Sequence, residues 1–180
     1  MTTHTFEERT GVVTGRGNPL TLVGPSLKVG DRAPDVHFAA KDLSVVSLDD
    51  LLDGGKRAAL LIVVPSLDTS VCSLESRTFN KRIRELPAGV KAYVVSVDLP
   101  FAQARWCSGE EGEIDLEMLS DYRLQEFGRR FGVYVKETGL LARSTFVVAK
   151  DGTIAYAEIV PEITTEPNYD AAIVAAKAAG

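Results

Sequence analysis

The sequence predicts an α/β fold, a mixed central sheet flanked by helices with a β-hairpin at its N-terminal end. Three observations carry this. Apolar runs of strand length alternate with helical patterns through the middle of the chain, a strand–turn–strand pattern closes its second half, and another precedes the alternating region. With 180 residues, 45% of them hydrophobic, the chain can bury a sizeable core. It is near the upper size for one compact unit, so residues 1–180 are expected to form a single domain.

The elements follow in order. Val12-Val13 and Leu20-Thr21-Leu22 flank the turn-rich Gly15-Arg16-Gly17-Asn18-Pro19, which reads as a hairpin with a longer loop, an N-terminal decoration. This G-x-G lacks both a third glycine and a following helix, so a dinucleotide site is dismissed. Short strands are expected at 36–40 and 45–48, on either side of Lys41-Asp42. The continuous apolar run 58–64, stopped by Pro65, reads as a buried strand. A helix is expected at about 70–86, where Val71, Leu74, Phe79, Ile83 and Leu86 fall near one face and Pro87 with Gly89 ends it. Strand 90–97 then completes a βαβ unit. A short helix at about 100–106 opens with Pro100 in its first turn. Beyond it come a strand at 116–119, a helix at 123–131 closed by Gly132, a hairpin of 144–149 with 153–160 around Lys150-Asp151-Gly152, and an Ala-rich helix after Asn168.

Composition excludes several function classes. The net charge is −5, from 20 basic and 25 acidic residues, and no Lys/Arg block exceeds a pair such as Arg129-Arg130. Neither a nucleic acid nor an anionic membrane surface is therefore an expected partner. The 58–64 run is far short of the roughly 20 residues of a membrane span. Residues 1–10 are polar, hold Glu7 and Glu8, and lack the basic start and apolar stretch of a secretory leader, so a cytoplasmic location is expected. Two cysteines are too few for a disulfide scaffold, and with only His4 and His37 beside them they make no plausible zinc site. No metal or cofactor is expected.

Chemistry is expected where strand 58–64 runs into the following helix. In Val64-Pro65-Ser66-Leu67-Asp68-Thr69-Ser70-Val71-Cys72 a cysteine falls in the helix's first turn. A free thiol with an ordinary pKa of about 8.5 is only a few per cent thiolate at neutral pH, and the unpaired N–H groups and macrodipole of a helix start stabilise the anion. Pro65 can shield the sulfur from water without offering a donor. The Thr69 hydroxyl, three residues before the sulfur, can bond both thiolate and an incoming oxygen. The bland alternatives are that Cys72 is a small buried hydrophobe and that Asp68, Thr69 and Ser70 only start a helix.

Pro65-x-x-x-Thr69-x-x-Cys72 resembles the peroxiredoxin active-site pattern, in particular that of the thiol peroxidase subfamily. The similarity continues through Gly30-Asp31-x-Ala33-Pro34-Asp35, Ser96-Val97-Asp98-Leu99-Pro100-Phe101-Ala102-Gln103 leading to Cys107, Leu119-Ser120-Asp121, Gly139-Leu140-Leu141-Ala142-Arg143 and Glu166-Pro167-Asn168-Tyr169-Asp170. Trp106 departs from the smaller aromatic expected before the second cysteine. The resemblance implies a thioredoxin-like fold with Cys72 as peroxidatic cysteine, Cys107 as resolving cysteine through an intrachain disulfide, and Arg143 as the cation beside Cys72. It also implies hydrogen peroxide and organic hydroperoxides as substrates, with the latter preferred, a thioredoxin or similar dithiol protein as reductant, and a homodimer with its interface close to the active site. Because both cysteines lie on expected helices, local unwinding would have to precede the disulfide. Two rival readings remain at this stage: a non-enzymatic redox sensor or holdase using the same disulfide switch, and a general thiol–disulfide oxidoreductase, which the absence of C-x-x-C weakens.

Overall fold

The computed structural model describes residues 6–109 and 114–180; residues 1–5 of the polar N-terminal segment, and 110–113, lie outside the described residues. Its centre is a seven-stranded mixed sheet in the order β10-β9-β5-β6-β7-β3-β4, with β3 at His37–Ala39, β4 at Val45–Ser47, β5 at Ala58–Val63, β6 at Val90–Ser96, β7 at Glu117–Ser120, β9 at Ser144–Val148 and β10 at Ile154–Ile159. β5, β6 and β7 run parallel, while β9 pairs antiparallel with β5, and β3 with β7. The expected mixed sheet flanked by helices is therefore present.

β5 is an interior strand, between β9 and β6, because both of its faces are apolar. Ala59, Leu61 and Val63 enter one buried cluster with Phe38, Phe127 and Phe146, whereas Leu60, Ile62 and Val64 enter a second with Cys72, Phe79 and Ile173. That alternation is the period of a strand, and it places one core on each side of the sheet. Each fully buried Leu or Ile stabilises the fold by about 1.5–3 kcal/mol. The crossover from β5 to β6 runs through α2, Ser70–Arg82, which tightens into a 3₁₀ turn at Ile83–Glu85. The α-helix thus stops short of the expected residue 86.

Several boundaries differ from the sequence reading. β1, Glu8–Gly15, and β2, Asn18–Val23, form the N-terminal hairpin, but its loop is the tight pair Arg16-Gly17, with φ of 51° and 77°. Pro19 belongs to the strand, opposite Thr14, whose N–H turns outward to Pro161 O at 2.7 Å; no donor is needed from the proline there. The hairpin is also no mere decoration. A two-residue strand, β8 at Tyr134–Val135, joins it in a three-stranded sheet, and Val13 and Leu22 are buried in the first core.

The strand expected at 45–48 ends at Ser47, which caps the short helix α1, Leu48–Leu51. Ser47 Oγ accepts the Asp50 N–H at 3.1 Å and Asp50 Oδ2 accepts the Ser47 N–H at 2.8 Å. The helix expected at 123–131 is only α4, Glu126–Arg130, because Gln125 takes a left-handed φ of 50° and the Asp121 carboxylate gathers the N–H groups of Phe127 and Gly128 at 3.0 and 2.8 Å. α3, Pro100–Cys107, and α5, Tyr169–Ala179, stand where they were expected. Among the described residues, no helix is long and apolar enough to cross a membrane.

Candidate active site

Topology brings the site together. α2 begins just past the C-terminal end of β5, and Cys72 is fully buried in its first turn. β9 is antiparallel to β5 with Ser144 opposite Val63, so Arg143 falls level with the strand's exit, beside the start of α2. Residues 71 positions apart are thereby brought into contact, with Arg143 Nη2 at 3.3 Å from Cys72 Sγ.

Each group around the sulfur is fixed by a second partner. Thr69 is the N-cap of α2 but makes no side-chain capping bond. Its Oγ1 instead lies 2.8 Å from Cys72 Sγ and 3.1 Å from Ser66 O. One hydroxyl hydrogen serves these two positions, so Thr69 can donate to Ser66 O while accepting from a thiol, or turn its hydrogen to a thiolate. Pro65 is buried at the β5–α2 junction and contributes no N–H. All three nitrogens of the Arg143 guanidinium are engaged: Nη2 with the sulfur, Nε with Ile163 O at 2.9 Å, and Nη1 with Glu75 Oε2.

Glu75 was not foreseen. It lies one turn beyond Cys72 on the same face of α2, fully buried, and its Oε1 finds no hydrogen-bond partner among the described residues. Burial pushes its carboxyl up to about 8 against the opposing pull of Arg143, and the carboxylates of Glu158 and Glu166 push the same way. Burial works against the charge of Arg143 in turn, but Glu75 and then Cys72 outweigh it, and the guanidinium stays above its ordinary value. A second residue that went unremarked as a site group is Asp98. Its carboxylate accepts from Ser66 Oγ at 2.7 Å, from the Leu67 N–H at 2.8 Å and from Ser96 Oγ at 2.8 Å, tying the loop before α2 to the strand before α3. The signals were present: an i, i+3 carboxylate on an apolar helix face, and an Asp inside the Ser96 to Gln103 run.

Cys107 is the last residue of α3, half-buried, and both cysteines are free. Burial raises the thiol's pKa, with Lys41 and Arg77 opposing. The Cys107 side chain lines a groove with Lys41, Asp42, Gln103 and Met118, and no member of the set around Cys72 lines it. The structure thus brings Cys72, Thr69 and Arg143 together, sets Pro65 at the junction beneath them, and keeps Cys107 on a separate helix. Among the described residues, no three His, Cys, Asp or Glu side chains are grouped to hold a metal.

A buried first-turn cysteine held by a threonine and an arginine at the C-terminal end of an interior strand points to a thiol chemistry. The sequence matches the redoxin family over residues 28–173. Thiol peroxidase of Bacillus subtilis strain 168 is 48% identical over 92% of this chain and 96% of its own length, and that of Listeria innocua is 51% identical over 93% and 98%. A peroxiredoxin-like protein of Aquifex aeolicus has a solved structure that superposes with a TM-score of 0.83 at 41% identity, covering 96% of this chain and 98% of that one. A thiol peroxidase from Chromobacterium violaceum, at 21% identity and a TM-score of 0.78 over 88% and 91%, shares the fold. The chain belongs to the redoxin family. Within that family it groups with the thiol peroxidases.

Proposed function

We propose that the chain is a thiol-dependent peroxidase acting as one unit, in which Cys72 reduces hydroperoxides and Cys107 closes the cycle by an intrachain disulfide. The observation that carries this reading is the placement of the Cys72 sulfur at the start of α2, between Thr69 Oγ1 and Arg143 Nη2. The Thr69 hydroxyl and the Arg143 guanidinium can each donate to the sulfur, and the same two donors can polarise a bound peroxide.

The thiolate attacks the terminal oxygen of R–O–OH in line with the O–O bond. A sulfur lone pair makes the S–O bond as the O–O bond breaks, and the O–O bonding pair leaves with the departing oxygen. The proton of the attacked hydroxyl passes to that oxygen, which leaves as alcohol or water, and the sulfenate takes a proton from solvent to become sulfenic acid. Pro65 and the surrounding apolar residues exclude water. Cys107 then displaces the hydroxyl of the sulfenic acid, forming the disulfide and releasing water. A thioredoxin-type dithiol protein reopens it by thiol–disulfide exchange, its two thiols supplying both electrons. The cycle runs on sulfur alone, without a metal, flavin or haem.

The names of the relatives support hydroperoxides as substrates, and the reading extends to organic hydroperoxides as the preferred ones. A homodimer with its interface near the site is supported by Leu74, Leu99 and Phe101, which stand 52, 50 and 65% exposed on or beside the two cysteine-bearing helices. The cytoplasm, where a dithiol reductant is kept reduced, is the compartment this cycle fits. The redox sensor that uses the same switch without turnover is disfavoured by the catalytic arrangement of Thr69 and Arg143. Steady peroxide-dependent consumption of a dithiol reductant should be seen with wild type and should vanish in Cys72→Ser, a nearly isosteric change. More than trace turnover in Cys72→Ser would remove that residue from the nucleophile role.

A further inference from the structure

Trp106 immediately precedes Cys107 at the end of α3, and its indole is fastened to α2. Nε1 donates to Ser73 Oγ at 3.2 Å, and the Arg77 guanidinium lies over the ring, 4.9 Å from its centroid. Ser73 directly follows Cys72, so the residue before one cysteine is bound to the residue after the other. Successive residues on a helix point about 100° apart. While Trp106 faces α2, Cys107 is therefore turned elsewhere, into the groove it shares with Lys41, Asp42 and Met118.

A disulfide requires Cβ vectors that face one another at close range. Cys107 can meet Cys72 only when the last turn of α3 unwinds, and that turn is pinned through Trp106. We propose that Trp106 is a positioning residue of the resolving step, whose hold on Ser73 and Arg77 keeps Cys107 withheld until the indole is released. Release of the indole then sets how fast the sulfenic acid is resolved: S–S forms as S–O breaks, and the Cys107 proton leaves with the hydroxyl as water. A sulfenic acid that waits is open to a second peroxide, which carries it to sulfinic acid, so the same clasp sets the sensitivity to overoxidation. This inference rests on Cys72 and Cys107 being disulfide partners.

Two variants break the same bond from opposite ends. Trp106→Phe keeps a ring beneath Arg77 but loses the donor, and Ser73→Ala keeps the indole but loses the acceptor. Each should speed disulfide formation about fivefold, the factor that corresponds to one neutral hydrogen bond of about 1 kcal/mol. Sulfenic acid formation should keep its wild-type rate, and more peroxide should be needed for half inactivation. The double variant should resolve no faster than Trp106→Phe alone, because the second change removes a bond already lost, whereas general loosening of the fold would add. Rapid-quench alkylation with mass analysis reads all the variants, and Trp106 fluorescence follows wild type and Ser73→Ala. Wild-type resolution rates in both single variants, or an additive gain in the double, would overturn the proposal. Failure of the disulfide assignment has a different signature: peroxide-treated wild type would show no Cys72–Cys107 bridge, and the clasp would fall with it.

Discussion

The Arg143 guanidinium is shared between Cys72 and Glu75, and the charge of the one partner is set against that of the other. With Glu75 ionised, part of the guanidinium's field is spent on the carboxylate; with Glu75 neutral, more of it reaches the sulfur. Arg143→Ala removes the shared cation and leaves Glu75 buried beside the thiolate, so peroxide reduction should fall at least about a hundredfold, as it does when an electrostatic stabiliser is lost from a reaction centre; stopped-flow kinetics with limiting peroxide measures it. Glu75 also carries a pH signature. Its folded-state value of about 8 lies above the ordinary 4.5, so the folded protein binds a proton there that the unfolded chain has released. The stabilisation is complete below about 4.5 and is lost as pH rises through about 8. Asp121, raised to about 6 chiefly by burial, slopes the same way. Denaturant melts of Glu75→Gln between about pH 5 and 8 should show a shallower decline than wild type, and an unchanged slope would mean that Glu75 is ionised throughout. In the sequence, Thr69 and Cys72 were legible because three-residue spacing at a helix start places them together. Arg143 was legible only through resemblance, since no local pattern links residues 71 positions apart.

Among the elements, the two loops that lead into the cysteine-bearing helices are joined by one carboxylate. Asp98 follows β6 and holds Ser66 and Leu67 ahead of α2, while Ser96, which donates to it, also accepts from Gln103 Nε2 of α3 at 3.1 Å. An asparagine keeps one carbonyl oxygen for the Leu67 N–H and Ser96 Oγ and turns a donating amide toward Ser66, whose hydroxyl must rotate to accept, and every one of these bonds loses its charge. Asp98→Asn should cost about 1 kcal/mol in a urea melt, the difference between hydrogen bonds to a charged group and neutral ones, and should slow the reaction of Cys72 with peroxide because Ser66 and Thr69 are set by this loop. A melt within experimental error of wild type would show that the loop is fixed by other bonds. Strands with continuous or alternating apolar patterns were legible within a residue or two. The rest was lost for physical reasons. β8 has two residues and exists because β2 offers it an edge, and α4 was overextended because the left-handed turn at Gln125 leaves no mark in periodicity. The Ser47-x-x-Asp50 capping signal of α1 is present in the sequence, but it overlaps the apolar 45–48 strand pattern, which masks it.

For the molecule as a whole, the site exists only while β5 and β9 are paired and α2 is docked across the sheet, and the resolving step proposed for Cys107 would require part of that order to be given up. β5 and β9 are wholly buried and so is Cys72, although its first-turn neighbours Ser70, Val71 and Ser73 are not, whereas Cys107 at the end of α3 is half-exposed and is followed by a polar segment. Local opening is drawn from the less buried end of a structure, so Cys107, rather than Cys72, is the cysteine expected to travel. If it travels within its own chain, peroxide-treated wild type should run as a monomer on a non-reducing denaturing gel, and peptide mapping should join the Cys72 and Cys107 fragments. Burial holds the Cys107 thiol above its ordinary value, so its attacking thiolate becomes more abundant with rising pH, and resolution should accelerate between about pH 7 and 9. Cys107→Ser strands the sulfenic acid: a sulfenate-specific reagent should trap it, excess peroxide should drive it to sulfinic acid, and turnover with a dithiol protein should drop sharply while small thiols sustain some cycling. A covalent dimer as the main oxidised species would instead place resolution between two chains, with each Cys107 serving the other chain's Cys72.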